Sequence, residues 1–201
     1  MYTGPHIVTN GLVLALDAGN TKSYPGSGTA WTDKSGFKNN GTLVNSPTFN
    51  SSNGGRIVFD GVDDHVSLVN NGSIDFGTGA SVEFTIEACI VLTNLTAPRV
   101  VISNRSSVSG DSSPTTDYMI FYDNASNNFY WGTGTSADAG AWWAVKTAFP
   151  NSTISTNTSY HISATLKATG TTSGNKSFFC NGNTINTTYT QKAAKTSTPV
   201  H

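Results

Sequence analysis

Apolar residues return at every second position along much of this chain, which is the period of a β-strand. Residues 82–92 give the longest case: Phe84, Ile86, Ala88 and Ile90 fall on one side, and Glu83, Thr85, Glu87, Cys89 and Val91 on the other. Residues 160–167 repeat the pattern, with Tyr160, Ile162, Ala164 and Leu166 opposite His161, Ser163, Thr165 and Lys167. In both runs the first set is the predicted core. Residues 12–16 (LVLAL) are apolar throughout and predict a strand covered on both sides.

Residues 55–68 (GRIVFDGVDDHVSL) predict a hairpin. Ile57, Val58 and Phe59 form one strand, Asp60, Gly61, Asp63 and Asp64 supply the turn, and Val66 and Leu68 alternate with His65 and Ser67 in the other. Shorter strands are expected at 42–44, 48–50, 99–104, 118–122 and 128–132. A second hairpin is expected over 177–189, turning at Asn181, Gly182 and Asn183. Residues 23–40 read as a long loop pinned by Trp31, 133–157 as irregular, and 190–201 as a tail. No helical period competes, so the fold class is all-β and antiparallel.

Composition narrows the function classes. The chain has 201 residues, enough for one well-buried domain. Only 11% are charged and the formal net charge is −1, so no basic footprint for nucleic acid is present. No apolar run approaches the roughly 20 residues of a membrane helix. Residues 1–6 lack a charged and then apolar leader, which predicts synthesis in the cytoplasm without export. Cys89 and Cys180 lie inside strand patterns and are expected as two buried thiols that never meet.

The order of several short motifs resembles a known family. GLVLALDAGNTKSYPGSGTAWTDKSGFKNNGTLVN followed by GGRIVFDGVDDHVSL is similar to the laminin-G-like branch of the concanavalin A-like lectin and glucanase superfamily. The copies it most resembles are those of bacteriophage structural proteins. FTIEACIV resembles that family's FTIEAWV strand, VVISNRSS its next strand and loop, SYHISATLKA its WYHVAATY strand, and FFCNGNTI its YVNG hairpin. Cys89 stands where the family has Trp, and Ser159 replaces the Trp of WYHVAATY. The resemblance implies a two-sheet antiparallel jelly-roll sandwich over residues 11–189, an arm at 1–10 and a tail or partner-contacting segment at 190–201. The family's closing strands are not evident before His201. Either residues 192–200 pair in a form the pattern does not reveal, or another chain covers the gap, which predicts a homo-oligomer or a sheet completed by another chain.

The resemblance also frames the candidate sites. Glycosidases of this superfamily carry two glutamates on one strand around a central aspartate. Glu83 and Glu87 have the spacing, but Thr85 holds the middle, so no catalytic residue is expected. Asp60, Asp63 and Asp64 are read as turn formers, with calcium as the alternative and no other cofactor expected. Tyr130, Trp131, Trp142 and Trp143 offer flat apolar faces and are the candidate carbohydrate contacts, the alternative being burial. His6, His65, His161 and His201 show no triad spacing and read as surface histidines.

The function expected is that of a non-enzymatic bacteriophage virion structural protein, a capsid decoration or tail module made in the host cytoplasm and displayed on the virion surface. It would bind other virion proteins and contact host glycans, with no nucleic-acid or membrane partner. A carbohydrate-binding adhesin is the second reading, and a degenerate glycoside hydrolase the third.

Overall fold

The computed structural model describes residues 9–76, 82–104, 116–135, 143–146, 154–168 and 173–190. The described residues form antiparallel β-sheets with one short 3-10 turn and no α-helix. The chain divides into two compact units, Met1–Asp75 and Phe76–His201.

In the first unit, β1 (Ala30–Trp31) pairs with β2 (Gly41–Val44), which pairs with β5 (His65–Leu68). Strands β3 (Thr48–Asn50) and β4 (Arg56–Val58) pair separately. The expected hairpin over 55–68 is therefore corrected. Its two strands do not pair with each other: Val58 faces Thr48, and His65 faces Val44. Together β2–β3 and β4–β5 make one long, nested hairpin whose tip is the 3-10 turn Ser52–Gly54. The aspartate-rich residues lie part-way along an arm, where 59–64 bulge opposite 45–47. The cause is local bonding: Asp60 Oδ1 accepts Val62 N–H at 2.8 Å and Asp64 Oδ2 accepts Asp60 N–H at 3.0 Å, closing the bulge on itself.

The predicted strand at 12–16 is also corrected. These residues are half-buried and belong to no sheet. Their backbone bonds go to the loop that follows. Val13 C=O accepts Asn39 Nδ2 at 2.8 Å, Ala15 N–H donates to Asp33 Oδ1 at 2.9 Å, and Ala15 C=O accepts Lys34 N–H. The loop is organised by Asp33, Asn39 and Tyr24 more than by Trp31. Asp33 and Asn39 are buried, and Tyr24 donates its hydroxyl to Gly28 C=O at 2.8 Å. Trp31 is half-buried, edge-on to Tyr24.

The second unit holds two four-stranded sheets. One runs β13 (Asn183–Thr190), β12 (Ser173–Cys180), β11 (Ser159–Ala168), β6 (Glu83–Val91). The other runs β10 (Trp143–Lys146), β9 (Asn128–Thr135), β8 (Thr116–Asp123), β7 (Arg99–Ser103). Strand β10 lies in the stretch expected to be irregular. The inward residues of both sheets share one cluster: Phe84 and Ile86 from β6, Ile162, Ala164 and Leu166 from β11 and Phe178 from β12 meet Tyr118, Ile120, Tyr122, Phe129 and Trp131. Phe84 meets Trp131 edge-on at 5.8 Å, and Phe129 meets Tyr160 at 5.7 Å. The alternation read from β6 and β11 holds for every inward residue, while Ser163, on the outward side of β11, is buried as well. Asn181 and Gly182, both at positive φ, close the tight β12–β13 turn, as their sequence predicts.

Candidate functional site

Three surfaces carry chemistry, and the period-two geometry of a strand decides which residues each one presents.

The first is the outward side of the β7–β10 sheet. Phe121 and Tyr130 are cross-strand partners there, stacked at 5.1 Å with ring planes 13° apart, and Val100, which is 63% exposed, faces Phe121 from β7. Each ring is half-buried. The Tyr130 hydroxyl lies 3.1 Å from Ser126 Oγ, which donates to Asp123 Oδ2. Of the four aromatic candidates, Tyr130 thus keeps an outward position. Trp131 does not: it is 0% exposed, so neither face is open to a sugar ring, and it serves the core. Trp142 lies outside the described residues. Trp143 opens β10 opposite Thr133.

The second surface is the bulge with Asp60, Asp63 and Asp64, whose carboxylate oxygens lie within 4.8 Å of one another. Besides the two turn bonds, Asn45 Nδ2 donates to Asp63 C=O at 3.1 Å across the hairpin. Asp64 Oδ1 is buried without a hydrogen-bond partner among the described residues.

The third is the outward side of the β6–β11 pair. Ala168 N–H donates to Val82 C=O, so the even-numbered residues of β11 bond to β6 and the odd-numbered ones do not. Glu83 therefore faces Lys167, and Cys89 faces His161, in the close, non-hydrogen-bonded kind of pair. Lys167 Nζ lies 3.6 Å from Glu83 Oε2 and His161 Nε2 lies 3.7 Å from Glu87 Oε2. Glu83 thus has the Lys167 ammonium beside it, and Glu87 the His161 imidazole. This differs from a glycosidase pair, in which one group donates a proton and the other attacks.

Cys89 is exposed, which corrects the expectation of two buried thiols; Cys180 is buried as expected, and both are free. The register that sets Cys89 opposite His161 is not read from the sequence, where each residue is taken within its own strand. The signal was present: setting Glu83 opposite Lys167 fixes a register that also brings Cys89 to His161.

A further feature is the backbone edge of residues 12–16. Val13, Ala15 and Asp17 send their bonds to one side, to Asn39, Asp33, Lys34 and Ser23. Among the described residues, no hydrogen bond reaches the backbone of Leu14 or Leu16. In an extended chain alternate residues point their N–H and C=O to opposite edges, so among the described residues one edge is filled and the other has no partner.

Comparison with protein families, with curated proteins and with solved structures finds no match for this chain.

Proposed function

We propose that this chain is a non-enzymatic bacteriophage virion structural protein, a laminin-G-like jelly roll on a capsid or tail that joins its neighbours by strand pairing. The resemblance of its motifs to phage structural copies supports the virion setting. Two four-stranded sheets turned onto one cluster support the sandwich. The assembly role is carried by one observation, the bare backbone edge at Leu14 and Leu16. Backbone donors and acceptors in a half-apolar setting are costly to leave unpaired, and an incoming strand satisfies them. Amide hydrogen exchange tests this directly. The Leu14 and Leu16 amides exchange freely in the isolated chain and become protected in the assembled particle; equal exchange in both states overturns the proposal.

A second reading, that the same module contacts host glycans, is favoured by the outward stack of Phe121 and Tyr130. An aromatic ring offers a sugar an apolar face, and the tyrosine adds a polar edge. Tyr130→Ala weakens binding to host polysaccharide about tenfold while leaving the melting temperature within a few degrees, on the scale of one lost aromatic contact. Unchanged binding removes Tyr130 from any glycan site.

A further inference from the structure

We propose that Asn53 and Asn10 are sites of spontaneous deamidation, and that the fold shields the three other Asn-Gly pairs of the chain from the same reaction. Five asparagines precede a glycine: Asn10, Asn40, Asn53, Asn71 and Asn181. The chemistry open to them is the same. The glycine backbone nitrogen gives its proton to hydroxide and attacks the asparagine Cγ, and the side-chain amide leaves as ammonia, taking a proton from water. Water then opens the resulting succinimide. Addition at Cγ gives aspartate, whereas addition at the backbone carbonyl gives isoaspartate, whose main chain runs through the former side chain. In sum one water is consumed and one ammonia released. Glycine favours the ring because no Cβ crowds the attacking nitrogen and its backbone turns freely.

What separates the five is how firmly each side chain is held, since Cγ must swing onto the next nitrogen. Asn40 Oδ1 accepts Asp33 N–H at 3.0 Å, and Gly41 lies within β2 against Val66. Asn71 is fastened at both ends, its Oδ1 by Ser73 N–H and its Nδ2 by Phe37 C=O. Asn181 Oδ1 accepts His161 N–H at 2.8 Å, while Asn181 N–H donates to His161 C=O. Asn53 and Asn10 differ. Both are exposed, and among the described residues no hydrogen bond reaches either side chain. Gly54 and Gly11 both sit at positive φ, with open space where a Cβ would stand. Asn53 lies in the exposed tip of the nested hairpin, whose turn bond from Gly55 N–H to Ser52 C=O is long at 3.2 Å. Asn10 lies in a turn closed by Leu12 N–H on Thr9 C=O at 3.1 Å. Local opening is cheapest in such exposed turns.

The two products at Asn53 have different consequences. The Gly54 carbonyl oxygen lies 2.0 Å from the point where Gly19 would carry a Cβ, and Gly55 is as tightly set against Ala18 C=O. The hairpin tip therefore rests backbone to backbone on residues 18–19. Isoaspartate adds one carbon to the main chain directly before this contact and unseats the tip. Aspartate leaves the main chain unchanged and adds only a charge. None of this depends on the proposed virion role.

The test is ageing of the full-length chain in mildly alkaline buffer, followed by peptide mapping with mass spectrometry and by enzymatic methylation to report isoaspartate. In the folded chain Asn53 and Asn10 convert at least about tenfold faster than Asn40, Asn71 and Asn181, which react only in the locally opened fraction. In concentrated urea the five rates converge, because the dipeptide is the same. Asn53→Gln removes the product at 53 and keeps the product at 10. Chains with isoaspartate at position 53 melt below fresh chains, whereas Asn53→Asp melts with them. Equal rates at all five positions in the folded chain, or conversion at Asn53 as slow as at Asn181, overturns the proposal.

Discussion

Asp33 Oδ2 accepts the backbone N–H of Asn39 at 3.0 Å, and this bond joins the two ends of a loop that carries no regular structure. The same carboxylate accepts Ala15 N–H, Ser35 N–H and Ser35 Oγ, while Asn39 Nδ2 reaches Val13 C=O and Ser73 Oγ. One buried charge therefore organises a stretch that a sheet would otherwise have to hold. Burial alone would raise the Asp33 pKa, but the hydrogen bonds from Ser35, Ala15 and Asn39 outweigh it and hold the carboxyl below its ordinary value.

Asp33→Asn is expected to cost about 2–3 kcal/mol, since it weakens several charge-assisted bonds and leaves a donor where acceptors are needed. Because the folded-state value is depressed, the stabilising contribution is complete above the unfolded value near 3.8 and is lost as pH falls through the folded one. Urea unfolding from pH 7 down to pH 3 measures this. The wild type loses more stability on acidification than the variant does.

Lys176 lies at 1% exposure on β12, on the same side of the strand as Phe178 and Cys180, and burial pulls its ammonium down to about 7. Between roughly 7 and 10.5 the unfolded chain binds a proton that the folded chain does not. Stability therefore falls as pH drops through that window, by up to about 1.4 kcal/mol per unit, and levels off below it. Lys176→Met removes this slope. The comparison of unfolding midpoints at pH 7 and pH 9.5 checks it: the variant gains most at the lower pH, and equal slopes in both proteins refute it.

The two thiols differ in environment, and a thiol reagent separates them. Cys89 is exposed, whereas burial pushes the Cys180 thiol up to about 11 and shields it. One equivalent per folded chain reacts rapidly with a disulfide reagent, and the second reacts only on unfolding. The rapid phase is absent in Cys89→Ser; rapid labelling of both thiols in the native protein contradicts the placement of Cys180.

The second unit was the more legible in sequence because its strands are long and half-buried. Alternation in residues 82–92 and 160–167 assigned every inward residue of β6 and β11 to its side, and Asn181-Gly182 announced its own turn. The first unit was less legible because polar side chains replace strand neighbours there. LVLAL looks like a buried strand, yet Asp33 and Asn39 take the place of the partner on one edge. GRIVFDGVDDHVSL has the composition of a hairpin, but pairing depends on upstream partners that a local pattern does not contain. At the candidate surfaces, residue type without exposure could not tell Trp131, which fills the core, from its outward neighbour Tyr130.

The bulge at 59–64 is anchored on both sides, by Val58 against Thr48 and by His65 against Val44. Its length is thus decoupled from the ladder that carries it. Extra residues placed after Gly61 interrupt the Asp60 Oδ1 to Val62 N–H bond but enter between the rungs rather than within them. A foreign peptide or fluorescent tag inserted here is expected to fall between paired stretches, which makes it a natural point for sequence to grow beside a fixed scaffold.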